Sequence, residues 1–128
     1  MAPPSGQTAA VGTDESWQEQ LRRGGLELAI LLSVARHSRY GLEIIGHLEA
    51  FTDLVVTEGT IYPILARLNR DGWLASDWRE EGPHPRKYYR LTDRGRKRLA
   101  YMTESWRDFA AKIDLLIVAA EGGSDEAH

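Results

Sequence analysis

Apolar residues run almost unbroken from Leu26 to Leu32, so Leu21–Arg36 predicts a first helix that is largely buried. Gly24-Gly25 is a weak point near its start. Between Tyr40 and Phe51 the apolar positions Ile44, Ile45, Leu48 and Phe51 recur at helical spacing and form one stripe, which predicts a second helix. Leu54-Val55-Val56 is short and β-branched and predicts a brief strand. Thr57 then stands as an N-cap whose hydroxyl could accept an early amide, and Asp71-Gly72 closes a third helix with a glycine stop. Ile61, Ile64, Leu65 and Leu68 give that helix its core face. The opposite wall carries Gly59, Pro63, Ala66 and Arg70, flanked by Thr60, Tyr62, Arg67 and Asn69. Pro63 in the second turn should bend this helix or remove one backbone bond.

Two strands follow, Trp73–Glu80 and Arg86–Leu91, joined by the turn residues Glu81-Gly82-Pro83-His84-Pro85. Strand alternation places Tyr89 and Leu91 on one face and Arg86, Tyr88 and Arg90 on the other. Trp73, Trp78, Tyr89 and Leu91 are assigned to the hairpin core. Thr92-Asp93 opens a last helix running to about Ala120, roughly 43 Å at 1.5 Å per residue. Along it Leu99, Met102, Trp106, Phe109, Ile113, Leu116 and Ala120 alternate at spacings of three and four, a heptad seam. A helix of that length on a small domain cannot bury such a stripe against its own body. The simplest partner is the same helix of a second copy.

Helix, helix, short strand, helix and hairpin, in that order, make a winged helix-turn-helix. The fold class is mostly α with a small β-hairpin (α+β), extended by a long C-terminal dimerisation helix. Residues 1–14 form an N-terminal tail, 15–91 the winged helix, 92–120 the dimerisation helix and 121–128 an acidic tail. Both tails are expected to be disordered.

Charge sharpens the picture. The 128-residue chain has a net charge of −3, a poor sign for nucleic-acid binding. Its acids, however, crowd the ends, and residues 57–98 hold ten Arg or Lys against six Asp or Glu. Local field matters more than the total, and this block covers the third helix and the hairpin. Gly59 and Ala66 permit close backbone approach to base edges. Arg67 and Arg70 can reach phosphate or guanine. Thr60 and Tyr62 offer hydroxyls to phosphate oxygens, and His84, Arg86 and Lys87 make a cationic wing tip.

Composition excludes other classes. There is no cysteine, so there is no disulfide scaffold, thiol nucleophile or Cys-based zinc site. His37, His47, His84 and His128 are scattered without metal-ligand spacing, and no metal or other cofactor is expected. No phosphate-binding glycine loop or nucleophile elbow occurs, so no enzyme is expected. No apolar run is long enough to span a bilayer and Met1–Gly12 lacks signal-peptide features, so a cytoplasmic protein without a membrane partner is expected.

Several stretches, in order, carry a specific resemblance. They are Leu21-Arg22-Arg23-Gly24, Tyr40-Gly41-Leu42-Glu43-Ile44-Ile45, Glu58-Gly59-Thr60-Ile61-Tyr62-Pro63-Ile64-Leu65-Ala66-Arg67-Leu68, Asp71-Gly72 and Arg86-Lys87-Tyr88-Tyr89-Arg90-Leu91-Thr92-Asp93-Arg94-Gly95. The chain resembles the PadR family of bacterial transcriptional regulators over residues 21 to about 117, in its short branch with one C-terminal helix. The resemblance implies a homodimeric repressor on an inverted-repeat operator in double-stranded DNA. Gly59, Thr60, Tyr62 and Arg67 would fall on the DNA-facing recognition helix and Arg86 and Lys87 on the wing. Glu104-Ser105-Trp106 resembles LmrR-type multidrug regulators of the family, in which a tryptophan from each subunit stacks flat aromatic drugs at the dimer centre. For Trp106 two readings stand: a stacking wall for a small aromatic effector, or a packing residue of the seam. The alternative function for the whole chain is a winged-helix protein-interaction module that does not bind DNA.

Overall fold

The computed structural model describes residues 14–122, and the expected tails at residues 1–13 and 123–128 lie outside them. The elements are α1 (Glu15–Ser33), β1 (Arg39–Tyr40), α2 (Gly41–Thr52), α3 (Glu58–Arg70), β2 (Leu74–Glu81), β3 (His84–Leu91) and α4 (Asp93–Gly122). Four helices surround an antiparallel sheet of order β1-β3-β2. This is the expected α+β winged helix-turn-helix.

α1 starts six residues before the expected Leu21, because Asp14 caps it by accepting the Trp17 amide at 3.1 Å. Its buried stripe of Leu26, Ile30 and Leu31 meets Ile44 and Leu48 of α2 and Ile61, Leu65 and Leu68 of α3 in one core. Leu74, Tyr89 and Leu91 of the hairpin and Leu99 of α4 complete it.

Two expectations are corrected. Leu54–Val56 forms no strand. It links α2 to α3 in extended form, with Val56 anchored in the core. The third strand is Arg39–Tyr40, which takes the free edge of β3 by pairing with Tyr89 and Tyr88. Trp78, assigned to the hairpin core, is 67% exposed. It lies on the same sheet face as Leu74 and Ser76, but the hairpin has already run past the body that buries that face.

The hairpin turn is also tighter than expected. His84 and Pro85 already belong to β3, which leaves Gly82-Pro83 as the two-residue turn, with Gly82 at φ +67°. The Thr57 hydroxyl makes no cap to an amide and instead bonds to the Thr60 hydroxyl at 3.2 Å. α3 continues through Pro63, which lacks the amide that would bond to Gly59. It ends in a Schellman turn, with Trp73 N–H donating to Leu68 O at 3.0 Å, Gly72 N–H to Asn69 O at 3.2 Å, and Gly72 at φ +84°.

α4 begins at a tight junction. The Thr92 hydroxyl accepts the Gly95 amide at 2.9 Å and donates to Gly72 O at 2.6 Å. Gly95 is buried against Trp73, and a Cβ there would overlap the Trp73 carbonyl. From this anchor α4 runs 30 residues, about 45 Å. Leu99 is buried and Met102 packs on the core, but Phe109, Ile113, Leu115, Leu116 and Val118 stand exposed on the distal half.

Thr92→Val removes a cap and leaves the Gly72 carbonyl without its hydroxyl donor. It should lower the unfolding free energy by about 1–2 kcal/mol in urea titration, while Thr92→Ser stays near wild type.

Candidate nucleic-acid interface

α3 buries Ile61, Leu65 and Leu68, and the helical period therefore turns Gly59, Thr60, Tyr62, Pro63, Ala66 and Arg70 to solvent. These six make one continuous wall. The hairpin projects beside it and carries His84, Arg86 and Lys87 on β3. Glu80 and Glu81 share the tip with those cations, so the wing is less one-sided in charge than its basic residues suggest.

The side chains of this surface are not equally free. Arg67 donates to Glu27 of α1 at 2.9 Å and lies 3.8 Å from Asp71, so it ties α3 to α1. Asn69 donates to the Ser76 hydroxyl at 3.1 Å and ties α3 to β2. Arg70 stands exposed in the last turn of α3. Arg79 pairs with Asp77 at 3.2 Å and lies over the Tyr88 ring at 4.1 Å.

Tyr62 is seated rather than loose. It is 38% exposed, and its ring lies so close to Gly41 that a Cβ there would come within 2.6 Å of Cζ. Partial burial and the nearby Glu58 carboxylate raise its phenol pKa above the usual tyrosine value, so it remains a neutral donor at physiological pH. Neither Gly41 nor its role is visible from the α3 sequence; the signal was a glycine at the first position of α2, where an alanine would serve a helix better.

The wing is stiffened on its far face. Tyr88 donates to Glu81, packs edge-on to Tyr40 with centroids 5.4 Å apart, and its hydrogen bond to Glu81 pushes the phenol pKa up to about 12. Arg86 lies over the Tyr40 ring at 4.4 Å.

Trp106 lies away from this surface, at the α1–α4 contact. It is 47% exposed and faces Gly25 across a groove of about 410 Å³ lined by Leu21, Leu28, Leu32 and Leu54. Arg107 is the one charged residue lining it. Leu99 and Met102 face the core, whereas Phe109, Ile113 and Leu116 lie on the exposed distal rod.

A family model for the transcriptional regulator PadR-like family matches residues 30–101, more than half of the chain. The chain belongs to this family. Its match begins inside α1 and ends in the first turns of α4, so it takes in α3, the wing and the Thr92 junction. A PadR family transcriptional regulator from Eggerthella lenta is 32% identical, with 87% of this chain and 97% of that one covered and a TM-score of 0.74. A PadR-like transcriptional regulator from Bacillus cereus is 29% identical over 77% and 96% of the two chains, with a TM-score of 0.70. A PadR-like transcription factor from Bacteroides fragilis is 37% identical over 79% and 98%, with a TM-score of 0.65. This PadR-like chain is thus a transcriptional regulator and not an enzyme. No described helix is long and apolar enough to cross a membrane, and among the described residues no group of three or more His, Cys, Asp or Glu could hold a metal ion.

Gly41→Ala should displace the Tyr62 ring and cost about 1–3 kcal/mol of stability. In a Tyr62→Ala background the same change should cost clearly less. Urea unfolding of the four proteins should give a coupling of about 1 kcal/mol or more.

Proposed function

We propose that this PadR-like regulator is a homodimeric repressor that binds an inverted-repeat operator. One α3 enters each of two major grooves and each wing follows the adjacent backbone. The observation that carries the reading is the pairing of two surfaces on one rigid body. One is a polar and cationic wall on α3 and the wing, and the other is a long helix with an uncovered apolar stripe.

The stripe supports self-association. Leaving Phe109, Ile113, Leu116 and their neighbours in water forgoes about 1.5–3 kcal/mol for each large side chain that a partner could bury. A second copy meets this need with an identical seam and sets two α3 helices in two-fold symmetry. Arg70, Arg86 and Lys87 supply electrostatic affinity, Gly59, Thr60 and Pro63 set close approach, and Tyr62 donates to phosphate. Arg67 acts mainly by holding α3 against Glu27.

Release by an effector would act at the seam. The groove beside Trp106 has an apolar wall, an indole and one cation at its edge, which suits a flat aromatic molecule bearing a carboxylate. A ligand wedged there would alter the α1–α4 spacing and so the separation of the two reading helices.

The chain should sediment at twice its monomer mass at micromolar concentration. It should bind an inverted repeat in its own upstream region with a log–log salt slope of about −0.9 per phosphate contacted, and Arg70→Ala or Lys87→Ala should each lower that slope by about two, since each removes one contact per protomer. A lone protomer that binds no duplex at any salt concentration would instead mark a protein-interaction module. For the effector, phenolic acids and flat cationic dyes should quench tryptophan emission in the wild type and lose that effect in Trp106→Ala. Equal responses of the two proteins would leave Trp106 as a packing residue.

A further inference from the structure

Trp78 lies outside the core, with the Lys87 ammonium beside its ring. Its register partner on β3 is Lys87, on the same sheet face as the Ser76–Tyr89 and Leu74–Leu91 pairs. The last two pairs meet the core, but Trp78 lies beyond the core edge and is 67% exposed. Below it is a cleft of about 340 Å³ between the wing and α3, lined by Tyr40, Tyr62, Trp78, Arg86, Lys87 and Tyr89 among others.

The charge state of that cleft is distinctive. No carboxylate lines it, and Glu80 lies two register pairs beyond Trp78 toward the tip, opposite Pro85. The cation on that face is held by aromatic rings instead of an acid. The Lys87 ammonium lies 5.9 Å from the centroids of both Trp78 and Tyr89, while the Arg86 guanidinium lies over Tyr40 on the opposite face. A ring positions a cation without cancelling its charge. By contrast, Arg67 and Arg79 on neighbouring elements are each matched to an acid.

An open cleft with an aromatic floor and an unneutralised lysine fits a ligand that is apolar on one side and anionic on the other. We propose that it seats one deoxyribose-phosphate unit of the DNA backbone, beside the groove that α3 enters. Trp78 packs on the sugar, Lys87 meets the phosphate, and the neutral Tyr62 phenol donates to it. The seat rests on the DNA-binding reading above and adds a contact to it. Because sugar and phosphate are the same at every step, the contact is independent of base sequence. It positions the wing, and through the wing the register of α3.

The test uses the full chain and a random-sequence 30-base-pair duplex at low ionic strength, read by fluorescence anisotropy of labelled DNA. Trp78→Ala should weaken binding about 5- to 10-fold, with the salt slope unchanged because no ionic contact is lost. Trp78→Tyr should recover most of the affinity, and Lys87→Gln should lower the slope by about two, one contact being lost in each protomer. All three variants should melt at the wild-type temperature, since both side chains lie outside the core. Wild-type affinity in Trp78→Ala, alongside a binding wild-type protein, overturns the seat and leaves the regulator reading standing. Failure of the wild-type chain to bind any duplex overturns both.

Discussion

The Thr92 hydroxyl sits at the point where three working parts of the molecule meet. It bonds to the glycine that ends α3, lies 3.2 Å from the carbonyl of Trp73 at the root of the wing, and caps the long C-terminal helix. Gly95 lets that helix press against the Trp73 backbone, and Arg94 reaches Asp71 O at 3.2 Å. These contacts are short, buried in part and mutually dependent, so α3, the hairpin and α4 have little freedom to move separately. Such a junction joins α3, the wing and α4 into one unit.

The same economy governs the charged groups. Several of the arginines in the basic block have structural duties. Arg67 clamps α3 to α1, Arg94 closes the α3–α4 junction, and Arg96 donates to Ala35 O at 3.2 Å. Those that retain unneutralised charge on the α3–wing surface are Arg70, exposed at the end of α3, and the two wing cations held by rings. Much of the basic block therefore builds the frame, and few of its cations are left without a structural partner.

Apolar exposure is divided in a similar way. The distal rod presents a stripe suited to a long, repeating partner, and the α1–α4 groove presents a local hollow walled by an indole. The wing presents a single tryptophan with the Lys87 ammonium beside it. The three differ in extent and in neighbouring charge.

Periodicity alone was enough to read α2, α3, the hairpin and α4, because each carries an apolar pattern several turns or pairs long and is bounded by caps or glycine. The α3 wall was readable for the same reason, since a helix with one buried face must turn the other outward. The start of α1 was readable in principle from Asp14, whose carboxylate caps the helix within a polar stretch that shows no apolar stripe. Strand β1 was not, since two residues hold no pattern and pair only because β3 offers them an edge. Nor could spacing reveal that Arg67 meets Glu27 forty residues away, that Tyr62 rests on Gly41, or that Trp78 overhangs the body. Local sequence determines which face of an element is apolar, because that depends on neighbours within a few residues. How far a face extends beyond its support, and which charge meets which, depends on how whole elements pack, and only the tertiary structure decides that.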